Sequence, residues 1–318
     1  VKGADVADGP VLALDIGGTK LAAGLVDTTG RLLASERTET PATLDAEGLW
    51  STLVALAGRV ADLDEIAGVG VGCGGPMRWP QGRVSPLNIP SWRDFPLADR
   101  LRELVPHVPV RVHNDAVAFA VGEHWRGAGR GASNVLGMVV STGVGGGIVS
   151  GGRLVDGSSG NAGHIGHVVV DPDGPACTCG GRGCLEAVAR GPAVVRWAIE
   201  EGWRPGSRQS ATGRDLTADA QRGHPVATAA LARAGEAIGV ALASVTHLLD
   251  LEVVAIGGGL SQAGRLLFDP IETAFRRHAR MQFARDVRVV PAALGQEAGI
   301  IGAGALVVAP DDRYWSAG

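Results

Sequence analysis

Lysine is almost missing from this chain: Lys2 and Lys20 are the only two, and the remaining basic charge is arginine. Such a bias is that of a GC-rich genome. Against it, Lys20 stands out as kept for a site that needs a lone ammonium, with a leftover surface lysine as the plainer reading. Lysine and arginine total 29 against 33 acidic residues, so the formal net charge of −4 removes the electrostatic case for a nucleic-acid partner. Long apolar runs are lacking, and no membrane span is expected. The opening VKGADVADGP has no apolar signal core and reads as a short disordered lead over residues 1–10. These two absences imply a cytoplasmic, reducing location, which argues against disulfides. Low-complexity segments, heptads and the GxxxxGK[ST] pattern of a P-loop are absent as well.

What is present suits a globular α/β protein. At 318 residues the prior is two domains, and 49 glycines point to tight turns and close backbone approaches. Apolar runs at 11–18, 21–27 and 31–39 read as strands, the last two joined by a turn at 28–30. Helical spacing covers 45–61, IAGVGVGC (66–73) reads as a buried strand, Leu97–Val105 as a short helix, and PVRVHND (109–115) as a strand leading into a helix over 116–126. The pattern then begins again: a strand at 134–141, a TGVGGG turn, and a second strand through IVSGGRLV. Helices are expected over about 184–203 and 226–249 with a loop at 203–214 between them, followed by strands at 251–259 and 287–292 and a closing helix at 297–308. The expected division is a small α/β domain over 11–115, completed by 297–318, and a large one over 116–296.

Three glycine turns and one cysteine cluster carry the chemistry. In DIGGTK, Gly17 and Gly18 let backbone N–H groups approach an anion, while Asp15, Thr19 and Lys20 add a carboxylate, a hydroxyl and a positive charge. An ordinary hairpin turn is the alternative, although Asn-Gly or Asp-Gly would be more usual there. The second turn, STGVGGG, offers Thr142, Gly143, Gly145 and Gly146; it leads into a strand, so it is not a dinucleotide fingerprint. Two such turns in duplicated units would bracket a polyphosphate, and a third turn with Gly258 and Gly259 would let a flat base lie against backbone. His167, Cys177, Cys179 and Cys184 supply one imidazole and three potential thiolates at H-x9-C-x-C-x4-C spacing, a set suited to tetrahedral zinc. A disulfide would leave one of the three clustered cysteines odd. Cys73 lies apart in the buried strand at 66–73 and reads as a core residue. Asp115 ends a strand and begins a helix, where open α/β sheets present ligands, or where an Asp simply caps a helix.

Together DIGGTK, HND (113–115), STGVGGG, GH…CxCGxxGCxE, IGGG and LGQEAGIIGAG make the chain resemble the ROK sugar kinases, most closely their glucokinase branch, over about residues 11–308. The resemblance implies an actin-like (ribonuclease H-like) two-lobed sugar-kinase fold with the active site in the interdomain cleft. It implies ATP with Mg2+, a structural Zn2+ beside the sugar site, and a homodimer or homotetramer. It makes Asp115 the general base. Gly75, Asn88, Asn114, His164, His167 and Glu186 become sugar-binding residues, and the glycine turns the nucleotide site. Asp15 would reach the magnesium through water. Trp92, in the same SPLNIPSW stretch as Asn88, reads as packing.

One departure bears on the substrate. ROK glucokinases usually read E-x-G-H where this chain reads His164-Ile165-Gly166-His167, so a group that donates or accepts replaces an acceptor-only carboxylate. Two readings stay open. Either the chain phosphorylates the 6-hydroxyl of glucose with His164 as a tolerated variant, or it acts on a modified sugar such as 3-amino-glucose, N-acetylmannosamine or a cyclitol. Two non-enzymatic readings stand beside them. A sugar-responsive repressor would carry a DNA-binding region ahead of the first turn, whereas DIGGT begins at Asp15. A non-catalytic sugar-binding regulator would have no use for Asp115.

Overall fold

The structure, a computed structural model, describes residues 9–41, 43–206 and 211–316. Most of the expected disordered lead, the middle of the expected 203–214 loop and the last two residues of the expected small domain lie outside the described residues. The chain forms two compact units. One takes the residues up to Ser133, Gly147–Ala162 and those from Ala293 on; the other takes Asn134–Gly146 and Gly163–Ala292.

The chain begins with β1 (Val11–Ile16), β2 (Lys20–Val26) and β3 (Leu32–Glu39), then α1 (Ala46–Val60) and β4 (Val69–Cys73). A two-stranded hairpin follows, β5 (Met77–Arg78) and β6 (Arg83–Val84), and then α2 (Leu97–Leu104), β7 (Val110–Asn114) and α3 (Asp115–Arg126). The sheet order is β3-β2-β1-β4-β7, with the first three strands antiparallel and β4 and β7 parallel to β1. Strand alternation sorts the side chains of β1. Leu12, Leu14 and Ile16 are buried with Leu49, Leu53 and Leu56 of α1 and with Leu97 and Leu101 of α2. Val11 and Ala13 are buried on the opposite side with Ala118 of α3 and with Ile300, Ala303 and Val307 of the C-terminal helix. Asp15 follows Val11 and Ala13 in this alternation, so it faces the two helices. Those helices meet through glycines: a Cβ at Gly122 would lie 2.2 Å from the Ala298 carbonyl oxygen, and one at Gly302 would lie 1.6 Å from that of Ala118. This contact keeps α3 with the first unit, so the division falls after Ser133 rather than after Asp115.

The chain continues through β8 (Val135–Val140), β9 (Val144–Ser150), β10 (Arg153–Leu154), α4 (Leu185–Ala189), α5 (Gly191–Glu200), α6 (Gly213–Gln221), α7 (Pro225–Leu249), β11 (Val253–Gly257), α8 (Arg265–His278), β12 (Arg288–Pro291) and α9 (Ala298–Val308), the C-terminal helix just described. The second sheet, β10-β9-β8-β11-β12, repeats the strand order of the first.

Four details differ from the sequence expectation. The helix expected over 184–203 is two, because Arg190 is extended (φ −64°, ψ 146°) and Pro192 opens α5 afresh. α6 starts within the expected loop, set by a capping box between Thr212 and Asp215. α8 was not expected; its buried Leu267, Ile271, Ala274 and Phe275 follow helical spacing, but Pro270 interrupts the pattern. Finally, α7 is long and apolar enough, by length and composition, to cross a membrane, which corrects the reading that no such stretch exists. Its Leu231, Ala234, Ile238 and Leu242 are buried. Gly235 and Gly239 bring α8 so close that a Cβ would lie 2.7 Å from the Leu267 carbonyl oxygen or 2.5 Å from that of Ile271. Its apolarity is that of a core helix.

Candidate active site

The first unit gathers acidic groups where its parallel strands end. Asp15 pairs with Gly72, Ile16 with Cys73, and Cys73 with Asn114, so β1, β4 and β7 finish side by side. This is the edge at which open α/β sheets bind ligands. Asn114 is the N-cap of α3; its Oδ1 accepts the Ala116 N–H at 3.0 Å, and Asp115 Oδ1 accepts the same N–H at 2.8 Å. Glycines keep the surroundings open. A Cβ at Gly75 would lie 3.3 Å from Asn114 Nδ2, and one at Gly74 would lie 3.8 Å from Asp115 Oδ2.

Asp15 completes the acidic cluster. Burial first, and then the like charge of Asp115, pushes its carboxyl up to about 6, against the smaller pull of Lys20 and Arg37. The Cys73 thiol is pushed well above its ordinary value by burial, then by Asp115 and Asp15. A Cβ at Gly299, in the first turn of α9, would lie 2.9 Å from the Asp15 carboxylate, so any larger residue there would make that carboxylate shift.

The DIGGTK turn is closed by the Gly17 N–H, which donates to the Lys20 carbonyl at 3.0 Å, and by Thr40 Oγ1, which donates to the Gly17 carbonyl at 2.6 Å. Thr19 is exposed at its tip, and Lys20 opens β2 opposite Glu39. Asn88 sits on this turn: a Cβ at Gly18 would lie 2.2 Å from the Asn88 Cβ. Trp92 is packing, stacked on Phe95 at 4.3 Å with its indole N–H donating to the Ala46 carbonyl.

The second unit builds a shorter turn than expected. The Ser141 N–H donates to the Gly143 carbonyl at 2.9 Å, and β9 has already begun at Val144. Thr142 and Gly143 therefore form the turn, while Gly145 and Gly146 belong to the strand. A Cβ at Gly146 would lie 2.8 Å from the Gly137 carbonyl oxygen, so its missing side chain admits backbone. Glu186 holds the turn: its Oε2 accepts the Val144 N–H at 2.9 Å and lies 3.0 Å from where a Gly143 Cβ would stand. Gly258 (φ +94°) lies against the end of β8, a Cβ there falling 2.4 Å from the Val140 carbonyl oxygen; Gly259 is exposed beside it.

Glu186 follows directly on the cysteine cluster. The donor atoms of His167, Cys177, Cys179 and Cys184 all lie within 4.8 Å of one another. His167 Nδ1 is 3.8 Å from Cys177 Sγ, and Cys179 Sγ is 3.7 Å from Cys184 Sγ. A tetrahedron of zinc–sulfur bonds has edges of about 3.8 Å, so the set fits zinc. All four cysteines of the chain are free thiols, with no disulfide among them. The loop turns on Gly180 (φ +92°) and Gly183 (φ +69°), a conformation open to glycine. Its thiols pull in opposite directions. A hydrogen bond from the Gly181 backbone, then the neighbouring thiols, hold Cys179 below its ordinary value, while burial, then those thiols, push Cys184 up to about 12. A divalent cation relieves such crowding by stabilising every thiolate at once. The exposed His164 ring lies 6.2 Å from that of His167.

Each unit thus assembles part of the expected set: Asp15, Gly17, Gly18, Thr19, Lys20, Gly75, Asn88, Asn114 and Asp115 on the first, and the Thr142–Gly143 turn, His164, Glu186 and the metal set on the second. Sequence reading passed over Arg37, whose charge bears on Asp15, and His113, whose buried ring backs Asn114. His113 was in view as part of HND, but its partner is 43 residues away.

Known proteins resemble this chain over most of its length. The ROK family model matches residues 11–309. The glucokinase of Thermotoga maritima is 35% identical over 309 residues, 93% of this chain and 96% of that protein. An N-acetylmannosamine kinase of Yersinia pseudotuberculosis is 37% identical over 257 residues, 80% of this chain and 84% of that protein. A ROK family glucokinase from Streptomyces griseus, solved with glucose and AMPPNP, superposes with a TM-score of 0.80 at 37% identity, covering 94% of this chain and 99% of that one. The fold is the actin-like, two-lobed α/β fold of these sugar kinases, and the chain belongs to the ROK family.

Proposed function

We propose that this chain, an ATP-dependent sugar kinase, transfers the γ-phosphoryl group of ATP to the 6-hydroxyl of glucose with Asp115 as general base. The observation that carries the reading is the Asn114–Asp115 corner. A carboxylate stands at the strand edge beside a helix start, with an amide next to it and glycines around it. A sugar hydroxyl is a poor nucleophile, and phosphoryl transfer asks the protein mainly to position the reactants and accept one proton. Asp115 accepts that proton, and Asn114 orients the hydroxyl. Glu186, His164 and His167 bind ring hydroxyls, with Gly75 and Asn88 completing the sugar shell. The turns at Gly17–Gly18 and Thr142–Gly143 hold phosphate oxygens through backbone N–H groups, with Thr19 and Lys20 beside the first; Gly258 and Gly259 leave room for the base.

His167, Cys177, Cys179 and Cys184 would hold a structural zinc that fixes the loop from which Glu186 emerges. Magnesium bound with ATP would offset the charge of the transferred group, and Asp15 would reach it through water. His164 favours a second reading with the same chemistry on a modified sugar, an amino sugar or a cyclitol, because an imidazole can donate where a carboxylate only accepts.

Asp115→Asn tests the reading. Turnover is expected to fall to at most about one per cent, a loss typical of a removed general base, while calorimetric glucose affinity stays within about threefold. Activity above a few per cent rejects Asp115 as the base.

A further inference from the structure

We propose that His113 and Asp156 form a buried positioning pair for the Asn114–Asp115 corner. His113 is the next-to-last residue of β7, immediately before Asn114, and is fully buried, and Asp156 is 95% buried. His113 Nδ1 accepts the Asn114 backbone N–H at 2.8 Å, so that nitrogen carries no proton. The proton therefore sits on Nε2, which donates to Asp156 Oδ1 at 2.9 Å. Asp156 is held in turn by Ser316, whose hydroxyl donates to Oδ2 at 2.5 Å. Trp79 closes the ring in at 5.9 Å, and a Cβ at Gly160 would strike Trp79 at 2.4 Å, so the loop after Asp156 lies tight over this pair.

The consequence concerns one peptide unit. The bond between His113 and Asn114 is the last of the strand, and its N–H belongs to the residue that caps α3. An imidazole free to turn would face that N–H with Cδ2–H, and one free to shift its proton would face it with a protonated Nδ1, in neither case an acceptor. The Asp156 carboxylate allows one ring orientation and one tautomer. Asn114 then starts from a fixed φ and ψ (−64°, 144°), and with it the side chains of Asn114 and Asp115. A shift of about 1 Å in reacting groups lowers rates by about a hundredfold, which is the scale on which such a device matters. Neither residue touches substrate; both act through Asn114.

The proposal rests on Asp115 being the base, and its test separates the two ideas. His113→Gln keeps a donor where Nε2 stood and loses the acceptor for the Asn114 N–H. His113→Asn keeps an acceptor near the Nδ1 position and loses the contact with Asp156. The Gln variant is expected to lose about 10- to 100-fold in kcat, with KM for sugar and ATP within about threefold. The Asn variant is expected to recover at least about fivefold of that loss. Equal losses in the two variants, or losses that track the fall in Tm, overturn the proposal. A readout independent of turnover is the imidazole 15N spectrum of wild-type protein, assigned by correlation with the His113 and Asn114 backbone signals. A proton on Nε2 with Nδ1 bare is expected, and a proton on Nδ1 overturns the pairing even where no variant folds. Failure of the kinase reading would instead leave wild-type turnover absent and this tautomer intact.

Discussion

The two sheets share a strand order, each with a glycine turn between its first two strands, yet the two units supply a carboxylate in opposite ways. In the first, the acid is in the strand itself. Asp15 follows Val11 and Ala13 in the alternation of β1, faces two helices, and is pushed up to about 6 by burial and by Asp115. In the second, β8 ends in Val140, and the carboxylate comes from a helix much later in the chain: Glu186 reaches back to the Val144 N–H. The duplicated topology sets where the turns stand, and the segments added around them decide the charge each turn meets. On the first side that segment is α9, admitted by Gly299; on the second it is the cysteine loop.

The comparison breaks most sharply at the metal. If the His167–Cys184 loop holds Glu186 in place through zinc, elemental analysis should find about one zinc per chain, and stripping it should lower turnover at least about a hundredfold. Protection of the Val144 amide against hydrogen exchange should fall while the DIGGTK turn keeps its protection. Metal-free protein with full turnover would detach the loop from the site.

A smaller effect sharpens the other side. The raised carboxyl of Asp15 contributes stability that is fully present below about pH 4 and is lost as the pH rises through about 6, because the folded state holds the proton longer than the unfolded chain. Asp15→Asn should therefore leave nucleotide-free protein about as stable as wild type near pH 4. Above about pH 7 it should be more stable by roughly 1–3 kcal/mol. Denaturant titrations across that range check it; a destabilised variant at high pH would mean the carboxylate is satisfied by contacts.

The smallest expected change is at His164. Replacement by Glu should move kcat/KM for glucose over N-acetylmannosamine by about tenfold toward glucose, since a carboxylate cannot donate to the acetamide carbonyl as an imidazole can. An unchanged ratio in competition assays would remove His164 from the sugar shell.

Much of this was legible in the sequence where the signal is local. DIGGTK needs neighbouring residues only, as does H-x9-C-x-C-x4-C, and the structure brings the four metal-site donors together. Signals that depend on packing were not legible. Pro270 hid α8, whose apolar positions still follow helical spacing. The apolar length of α7 reads as core only once Gly235 and Gly239 are seen against α8. Gly146 looked like part of a phosphate turn, and its missing side chain in fact admits the Gly137 carbonyl. Asp156 carries no motif at all, and its partnership with His113 exists only through the fold.

The most direct measurement is ADP release with Mg-ATP across a panel of glucose, mannose, N-acetylmannosamine, 2- and 3-amino-glucose, fructose, a cyclitol and a blank, with the phosphorylated position read by NMR. The account predicts that glucose has the highest kcat/KM and is phosphorylated at its 6-hydroxyl. A modified sugar preferred by about tenfold or more would contradict the glucose assignment and make His164 the specificity residue. Release no faster than the blank would contradict the kinase itself.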